Sequence, residues 1–381
     1  MRCASSTTWA ARSAASLSEL WAAARRAARG KRARPSVART LLDIEHVVLQ
    51  LHDTLRDGSW APGSPTTHII RDPKTRLIAA APFIDRIVHQ ALCASAGPRL
   101  ERGFISDTYA CRVGLGTHAA LRRARAWAGT YRFVAHLDVR KFFPSLDHEI
   151  LLGRLERALG CQRTLAVCRA ILEAGAACIA PVRFHFPGDD LFTPFGRAVG
   201  LPIGHLTSQH FANFYLSPVD HRARDRLRIR PYLRYMDDLL LFDDDRSRLG
   251  AWAHDLEDAC ARQRLRLHAW QVVPTSAGFG YLGFRILPGE LRVKRSTVKR
   301  GLKRLALRAA EARADRAYEP RLAASLRATF AHWAHGDTYR LRTNTLRDLG
   351  LLQGEPPVLS EAPRDPLAAH GEDEDDDGDG A

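Results

Sequence analysis

Two adjacent carboxylates, Asp237 and Asp238, stand in the middle of a run that is otherwise apolar. Tyr232, Leu233 and Tyr235 lead into the pair and Leu239 to Phe242 lead out, a Tyr-, Leu- and Phe-rich pattern that predicts a buried strand or hairpin. Two neighbouring acids are costly to bury unless positive charge sits on them. A hard divalent cation, which takes carboxylate oxygens, is the usual compensation. Alone, the pair reads more simply as the polar tip of a solvent-exposed hairpin. A third acid changes that balance. Phe133 to Val139 is a second strand-like apolar run with Asp138 near its end, followed at once by Arg140, Lys141, Phe142 and Phe143. Two strands that each deliver carboxylates to one point are what two-metal phosphoryl transfer requires, with the ions about 4 Å apart.

Tyr235-Met236-Asp237-Asp238, with Asp138 upstream and Gly204-His205-Leu206-Thr207-Ser208-Gln209 between them, resembles the catalytic core of reverse transcriptases. The resemblance runs from about Pro35 to about Gly350, and its motifs come in the family's order. It implies an α+β right-hand polymerase fold with fingers, palm and thumb. The N-terminal helices and fingers would occupy 1–129, the palm 130–288 with an inserted fingers segment at about 148–198, and the thumb 289–354. A disordered acidic tail at 355–381 would complete the chain. The implied activity is RNA-directed DNA synthesis: a template RNA is copied into cDNA from dNTPs. Asp138 and Asp237 would be the principal ligands of two Mg²⁺ ions, assisted by Asp238 and the Val139 carbonyl. Magnesium suits ligands that are all oxygen, with phosphates completing the shell.

Charge agrees with a polyanionic partner. The formal net charge is +15, and the segment Glu372 to Asp379 contributes seven acids and no base, so the rest of the chain is more basic still. With 45% hydrophobic residues the chain is expected to fold. The bases are spread along it rather than gathered on one amphipathic helix, which argues against a membrane surface. No apolar run approaches a membrane span, and the N-terminus lacks the continuous apolar core of a secretory signal. Seven cysteines form no CxxC pair and no zinc-like cluster. Reduced thiols in the cytoplasm are the expectation.

Along the chain, Ser16 and Glu19 have capping-box spacing and predict a helix that ends before Pro35. A second helix is expected from Ser36 to Leu55, and Arg25 to Arg34 between them packs six bases into ten residues. That cluster is either a solvated face or a source of phosphate contacts without sequence preference. Thr67 to Arg71 and Thr75 to Ala79 read as a hairpin around Asp72-Pro73-Lys74. In the resembled family this hairpin's bases, here Lys74 and Arg76, meet the nucleotide triphosphate. Pro82 to Leu92 is expected as an amphipathic helix. Arg112, in a glycine-bearing segment, takes the place of a template or nucleotide contact, and Phe143 that of the ring that excludes a ribose 2′-hydroxyl.

Residues 148–180 read as helical packing. After them, Ile203-Gly204 stands where many reverse transcriptases have Gln-Gly, and Ser208-Gln209 stands where they have Ser-Pro. This departure is similar to the enzymes of diversity-generating retroelements, which copy a template RNA inaccurately at adenines and use a small basic accessory protein. Tyr281, Leu282 and Gly283 fall in the hairpin that holds the primer end. A lysine expected just after His268 is absent, with Gln271 near its place and Arg264 or Arg266 as substitutes. Basic helices from Lys294 onward suit a thumb that tracks duplex phosphates. Two alternatives stay open at this level: a retron or defence-system reverse transcriptase, and a non-catalytic RNA-binding scaffold.

Overall fold

The computed structural model describes residues 16–71 and 75–352. The expected acidic tail and Lys74 lie outside the described residues. The chain forms two compact units, divided between Lys294 and Arg295.

The first unit opens with helices α1 (Leu17–Ala28), α2 (Pro35–Leu42) and α3 (Ile44–Asp57), then the hairpin β1 (Thr66–Ile70) and β2 (Arg76–Ala80). Helices α4 (Phe83–Glu101) and α5 (Thr117–Thr130) lead to strand β3 (Phe133–Asp138). Then follow the short α6 (Phe142–Ser145), α7 (His148–Leu159), α8 (Gln162–Ala176), the short α9 (Thr193–Gly196), α10 (Leu206–Tyr215) and α11 (Ser217–His221). A π-helical turn over Arg222–Arg226 precedes β4 (Tyr232–Tyr235) and β5 (Asp238–Asp243). Helix α12 (Arg246–Arg262) and strands β6 (Val272–Pro274), β7 (Phe279–Tyr281), β8 (Phe284–Leu287) and β9 (Glu290–Val293) finish the unit.

Two helical expectations change. Ser16 does cap α1, accepting from the Glu19 amide. The single helix foreseen from Ser36 to Leu55 is two, because Asp43 leaves helical geometry at φ −127°, ψ 38°. The helix foreseen to Leu92 runs on to Glu101 and passes through Pro98 in its last turn.

The central sheet is antiparallel, in the order β4-β5-β3-β6. Strand alternation gives its two faces different work. Ala135 and Leu137 of β3, with Leu239 and Leu241 of β5, pack into one core with Leu151 and Leu155 of α7, Phe211 of α10 and Leu249, Ala253 and Leu256 of α12. Val134 of β3, with Leu240 and Phe242 of β5, faces the other way, onto Leu121 and Ala124 of α5 and onto Phe279, Tyr281 and Phe284 of the small β7-β8-β9 sheet. A third core joins α1, α3 and the first turns of α4.

The second unit contains α13 (Arg295–Ala314), α14 (Glu319–Trp333) and α15 (Tyr339–Asp348). Gly301 lets α13 settle against Trp333, since a Cβ there would lie 2.5 Å from the indole ring. Arg295, Lys299, Arg300, Lys303 and Arg304 are exposed along α13.

A buried ion pair ties the first unit together beneath the β4–β5 turn. Arg234, with no exposed surface, donates through Nε and a terminal nitrogen to the two oxygens of Asp220, at 2.7 and 2.6 Å. It also donates to the Asn213 side-chain oxygen and carbonyl, at 2.8 and 3.0 Å. Tyr232 adds its hydroxyl to Asp220 at 2.7 Å. Removing one member of such a pair strands the other's charge in the core. Asp220→Ala is therefore expected to cost about 3–5 kcal/mol, read as a fall in denaturant midpoint. A loss no larger than an ordinary surface substitution would contradict the reading.

Candidate active site

Strand register brings the three acids together. Asp138, the last residue of β3, pairs directly with Asp238, the first of β5, so their side chains share one face of the sheet. Asp237 precedes Asp238 in a two-residue turn whose other member, Met236, is held at φ 57°. A non-glycine residue there is uncommon and marks a conformation imposed by its surroundings. Arg234 imposes it, donating to the Met236 carbonyl at 2.9 Å. The Val139 amide donates to the Asp237 carbonyl at 3.2 Å, and the Asp138 carbonyl accepts from the His268 amide at 2.8 Å. The end of β3 is thereby fixed on both sides.

The electrostatics are those of an under-compensated anionic site. Burial and the charges of Asp238 and Asp138 push the Asp237 carboxyl up to about 6, against a smaller opposing effect of Arg76. Arg76 lies at the start of β2, so the hairpin's positive charge is felt at the β4–β5 turn. Asp238 is held separately: His136, two residues before Asp138 on the same face, has Nε2 at 2.7 Å from Asp238 Oδ1. The edge of the His136 ring meets Tyr281 at 5.9 Å between centroids.

The turn carrying Ile203 and Gly204 is fastened to β2, the strand that begins with Arg76. The Ala79 amide of β2 donates to the Ile203 carbonyl at 2.9 Å. Gly204 has φ 118°, and a Cβ on it would lie 2.6 Å from the Ala79 carbonyl oxygen. Only glycine permits that approach. One turn further back, the Leu201 amide donates to the Phe143 carbonyl at 2.7 Å. Phe143 is half-buried with its edge on the fully packed Phe142. The Ile203-Gly204 turn is thus fastened to the hairpin strand that bears Arg76, whose charge is felt at Asp237, while its approach segment is fastened to Phe143, five residues beyond Asp138. Tyr281, Leu282 and Gly283 form the end of β7 and its turn, with Leu282 at φ 42° and Gly283 at φ 89°. Tyr281 is buried and within electrostatic reach of Asp238.

Other expected residues are employed elsewhere. Arg112 donates to the carbonyls of Ile105, Ser106 and Thr108 and so braces its own loop. Arg264 is committed to Asp147 at 2.7 Å and Glu149 at 2.9 Å. Arg266 is exposed, lies over the rings of Phe184 and Phe186, donates to the His185 carbonyl at 2.6 Å, and accepts at its own carbonyl from the Arg140 amide, two residues beyond Asp138; no carboxylate is paired with it among the described residues. Arg234, Asp220, Asn213 and His136 were not singled out from the sequence. The available signal was Arg234 itself, a lone base in an apolar run, which has to find a buried acid.

The donor chemistry fits a hard dication: carboxylates and a backbone carbonyl, crowded enough to raise one of them. Among the described residues no three His, Cys, Asp or Glu side chains form a ready-made cage. Magnesium does not need one, because it is usually held by one or two carboxylates plus substrate phosphates.

Residues 71–286, from the hairpin to β8, match the family described as reverse transcriptase (RNA-dependent DNA polymerase). The chain belongs to the reverse transcriptase family. Its α+β architecture is accordingly the right-hand polymerase fold anticipated from the sequence. No curated protein matches the chain. Among solved structures, this reverse transcriptase is similar to telomerase from Candida albicans in complex with the TWJ fragment of telomeric RNA. Identity there is 11% and the TM-score 0.44, over 76% of this chain and 55% of that one. It is also similar to apo telomerase from Candida tropicalis truncated from its C-terminal domain, at 10% identity and a TM-score of 0.45, over 63% and 58% of the two chains. The chain spans little more than half the length of either. No helix among the described residues is long and apolar enough to cross a membrane.

The raised Asp237 carboxyl has a thermodynamic signature. Its folded-state value lies above the unfolded one, so it favours folding fully only below about 4, and that contribution is lost as pH rises through about 6. Asn imitates the protonated form. Asp237→Asn should raise stability by about 1–2 kcal/mol in chelator at pH 7.5, after allowance for solvent screening, and by nothing measurable at pH 4. Thermal melts at both pH values test this, and an equal effect at the two would refute it.

Proposed function

We propose that this chain is an RNA-directed DNA polymerase that copies a template RNA into cDNA, and that it does so within a diversity-generating retroelement, with errors concentrated at template adenine. The observation that carries the first part is the strand register that sets Asp138 opposite Asp238 with Asp237 beside it and the Arg76 charge felt at Asp237, all inside the region matched by the family. Asp138 and Asp237 would hold two Mg²⁺ ions, assisted by Asp238 and the Val139 carbonyl. Such ions, when bound, supply activation of the primer 3′-hydroxyl and stabilisation of charge on the triphosphate and departing pyrophosphate.

The chain's own residues do the positioning. Lys74 and Arg76 offer positive charge to the triphosphate of a dNTP, and Phe143 closes the space beside the sugar. Tyr281, Leu282 and Gly283 hold the primer end. Arg266 takes the place of the lysine missing near Gln271, since Arg264 is spent on two carboxylates. Residues 289–354 act as the thumb, with the exposed bases of α13 on duplex phosphates. A basic accessory protein belongs to the same proposal.

The finer part rests on Ile203. It is half-buried, its carbonyl is taken by Ala79, and its side chain offers only van der Waals contact. Where relatives present a glutamine, a hydrogen bond worth about 0.5–1.5 kcal/mol is missing. At about 1.4 kcal/mol per tenfold, correct and incorrect pairs are then separated about two- to tenfold less well. Ile203→Gln is expected to lower misincorporation opposite template adenine by a factor in that range, measured by deep sequencing of cDNA made on one defined RNA. Identical adenine error profiles would place any inaccuracy elsewhere.

Asp237→Ala tests the broader part. It should abolish primer extension on an RNA template while leaving RNA binding nearly unchanged, because affinity comes from the basic surface. Full-length cDNA from the variant would overturn the assignment.

A further inference from the structure

The helical side of the central sheet carries a second concentration of positive charge that catalysis leaves unused. Helices α7 and α11, the π-helical turn and the C-terminal end of α12 enclose a cleft of about 810 Å³. Asp138 and Asp238 cannot belong to it. They stand on the sheet face opposite Ala135, Leu137, Leu239 and Leu241, and it is those four that pack toward α7 and α12.

The cleft's walls bear Arg154, His221, Arg222, Arg226 and Arg262 against one acid, Asp225. Two of these bases are already answered. His221 Nδ1 lies 2.7 Å from Asp225, and Arg222 grips Asp255 through two hydrogen bonds of 2.6 and 2.5 Å. Arg226 and Arg262 are exposed and form no ion pair within 4 Å among the described residues.

Arg154 is the member that a merely solvated surface would not need. Half-buried, it lies over the Phe214 ring at 4.7 Å and donates to the Tyr215 carbonyl at 2.5 Å and the Ser217 hydroxyl at 2.7 Å. Neither acceptor is charged. Burial pulls its pKa down to about 10, the mark of a cation kept out of water without a carboxylate bonded to it. A guanidinium has five N–H donors in a planar fork, and those two bonds leave the fork unfilled. The turn that brings Arg222 and Arg226 to the rim is π-helical, a rare geometry that occurs frequently at functional sites.

Guanidinium groups with unfilled forks bind oxyanions bidentately, phosphate among them. The cleft is far larger than one phosphate and has exposed bases at its rim, so it suits a backbone bearing several. We propose that this cleft is a second nucleic-acid site, which holds phosphates of structured RNA lying outside the strand being copied. The identity of the polyanion as RNA rests on the proposed copying function; the charge and shape of the cleft do not.

The test uses the full chain and a defined RNA stem-loop, with neither primer nor nucleotide, so that a failure of copying leaves its outcome readable. Replacing both free bases, Arg226→Ala with Arg262→Ala, should weaken stem-loop binding about tenfold near physiological salt and make the dependence of log affinity on log salt shallower by about 1.4–1.8 for two lost phosphate contacts. Extension of a short primer-template should be unchanged. The pair Arg226→Lys and Arg262→Lys should restore most of the slope, and Arg246→Ala, at the opposite end of α12, should change nothing. Unaltered stem-loop affinity and salt slope in the double alanine variant, with its thermal melt intact, would overturn the proposal and assign the surface to something other than RNA.

Discussion

A guanidinium with no access to water sets the geometry of the site. Arg234 sits one strand away from the acids, on the opposite face of β4 from Tyr235, with Asp220 and Asn213 around it and the Met236 carbonyl above. Its charge is expensive to bury, yet Asp220 more than offsets that penalty and holds Arg234 above its ordinary pKa. What this arrangement contributes is definition rather than raw stability. The Met236 backbone would relax from its left-handed conformation without a donor on its carbonyl, and Asp237 would move with it. The strand pair then places Asp238 opposite Asp138 by register alone.

Above that anionic floor the chain places a cationic strand. The Ile203-Gly204 turn approaches β2 so closely that any side chain at 204 would collide with the Ala79 carbonyl, and one hydrogen bond fastens the two. Arg76 is held where its charge opposes that of Asp237. Fixed charges of both signs around a partly dehydrated site stabilise developing charge without having to reorganise during the reaction. His136 completes the floor with its Nε2 at 2.7 Å from Asp238 Oδ1.

The parts that were legible in the sequence are those with a short-range signal. Strands β3 and β5 are announced by period-two and apolar runs; Asp237 and Asp238 alone read as a hairpin tip, and it was the second acid-bearing run at Asp138, with the motif order of the resembled family, that singled out the three. Glycine at 204 was legible as a turn, but its reason, contact with β2, is long-range. The break at Asp43 is hidden because the apolar spacing on either side continues in phase, and the helix foreseen to Leu92 runs on to Glu101 because its buried face continues through Ala96 and Leu100. Arg112 and Arg264 looked available because a sequence does not show carbonyls and carboxylates that arrive from elsewhere in the fold. Asp220 carries no local mark at all; only its partner, 14 residues away in sequence, makes it functional.

The proposed catalysis stands on a divalent ion binding at Asp138 and Asp237, and localised oxidative cleavage examines that directly. Ferrous iron with ascorbate, replacing magnesium in the presence of a primer, RNA template and dNTP, should cut the chain near residues 138 and 237. Excess Mg²⁺ should suppress both cuts, and Asp138→Asn should weaken both together. Cleavage confined to other parts of the chain, or cuts at 138 and 237 that magnesium does not compete, would contradict the two-metal reading.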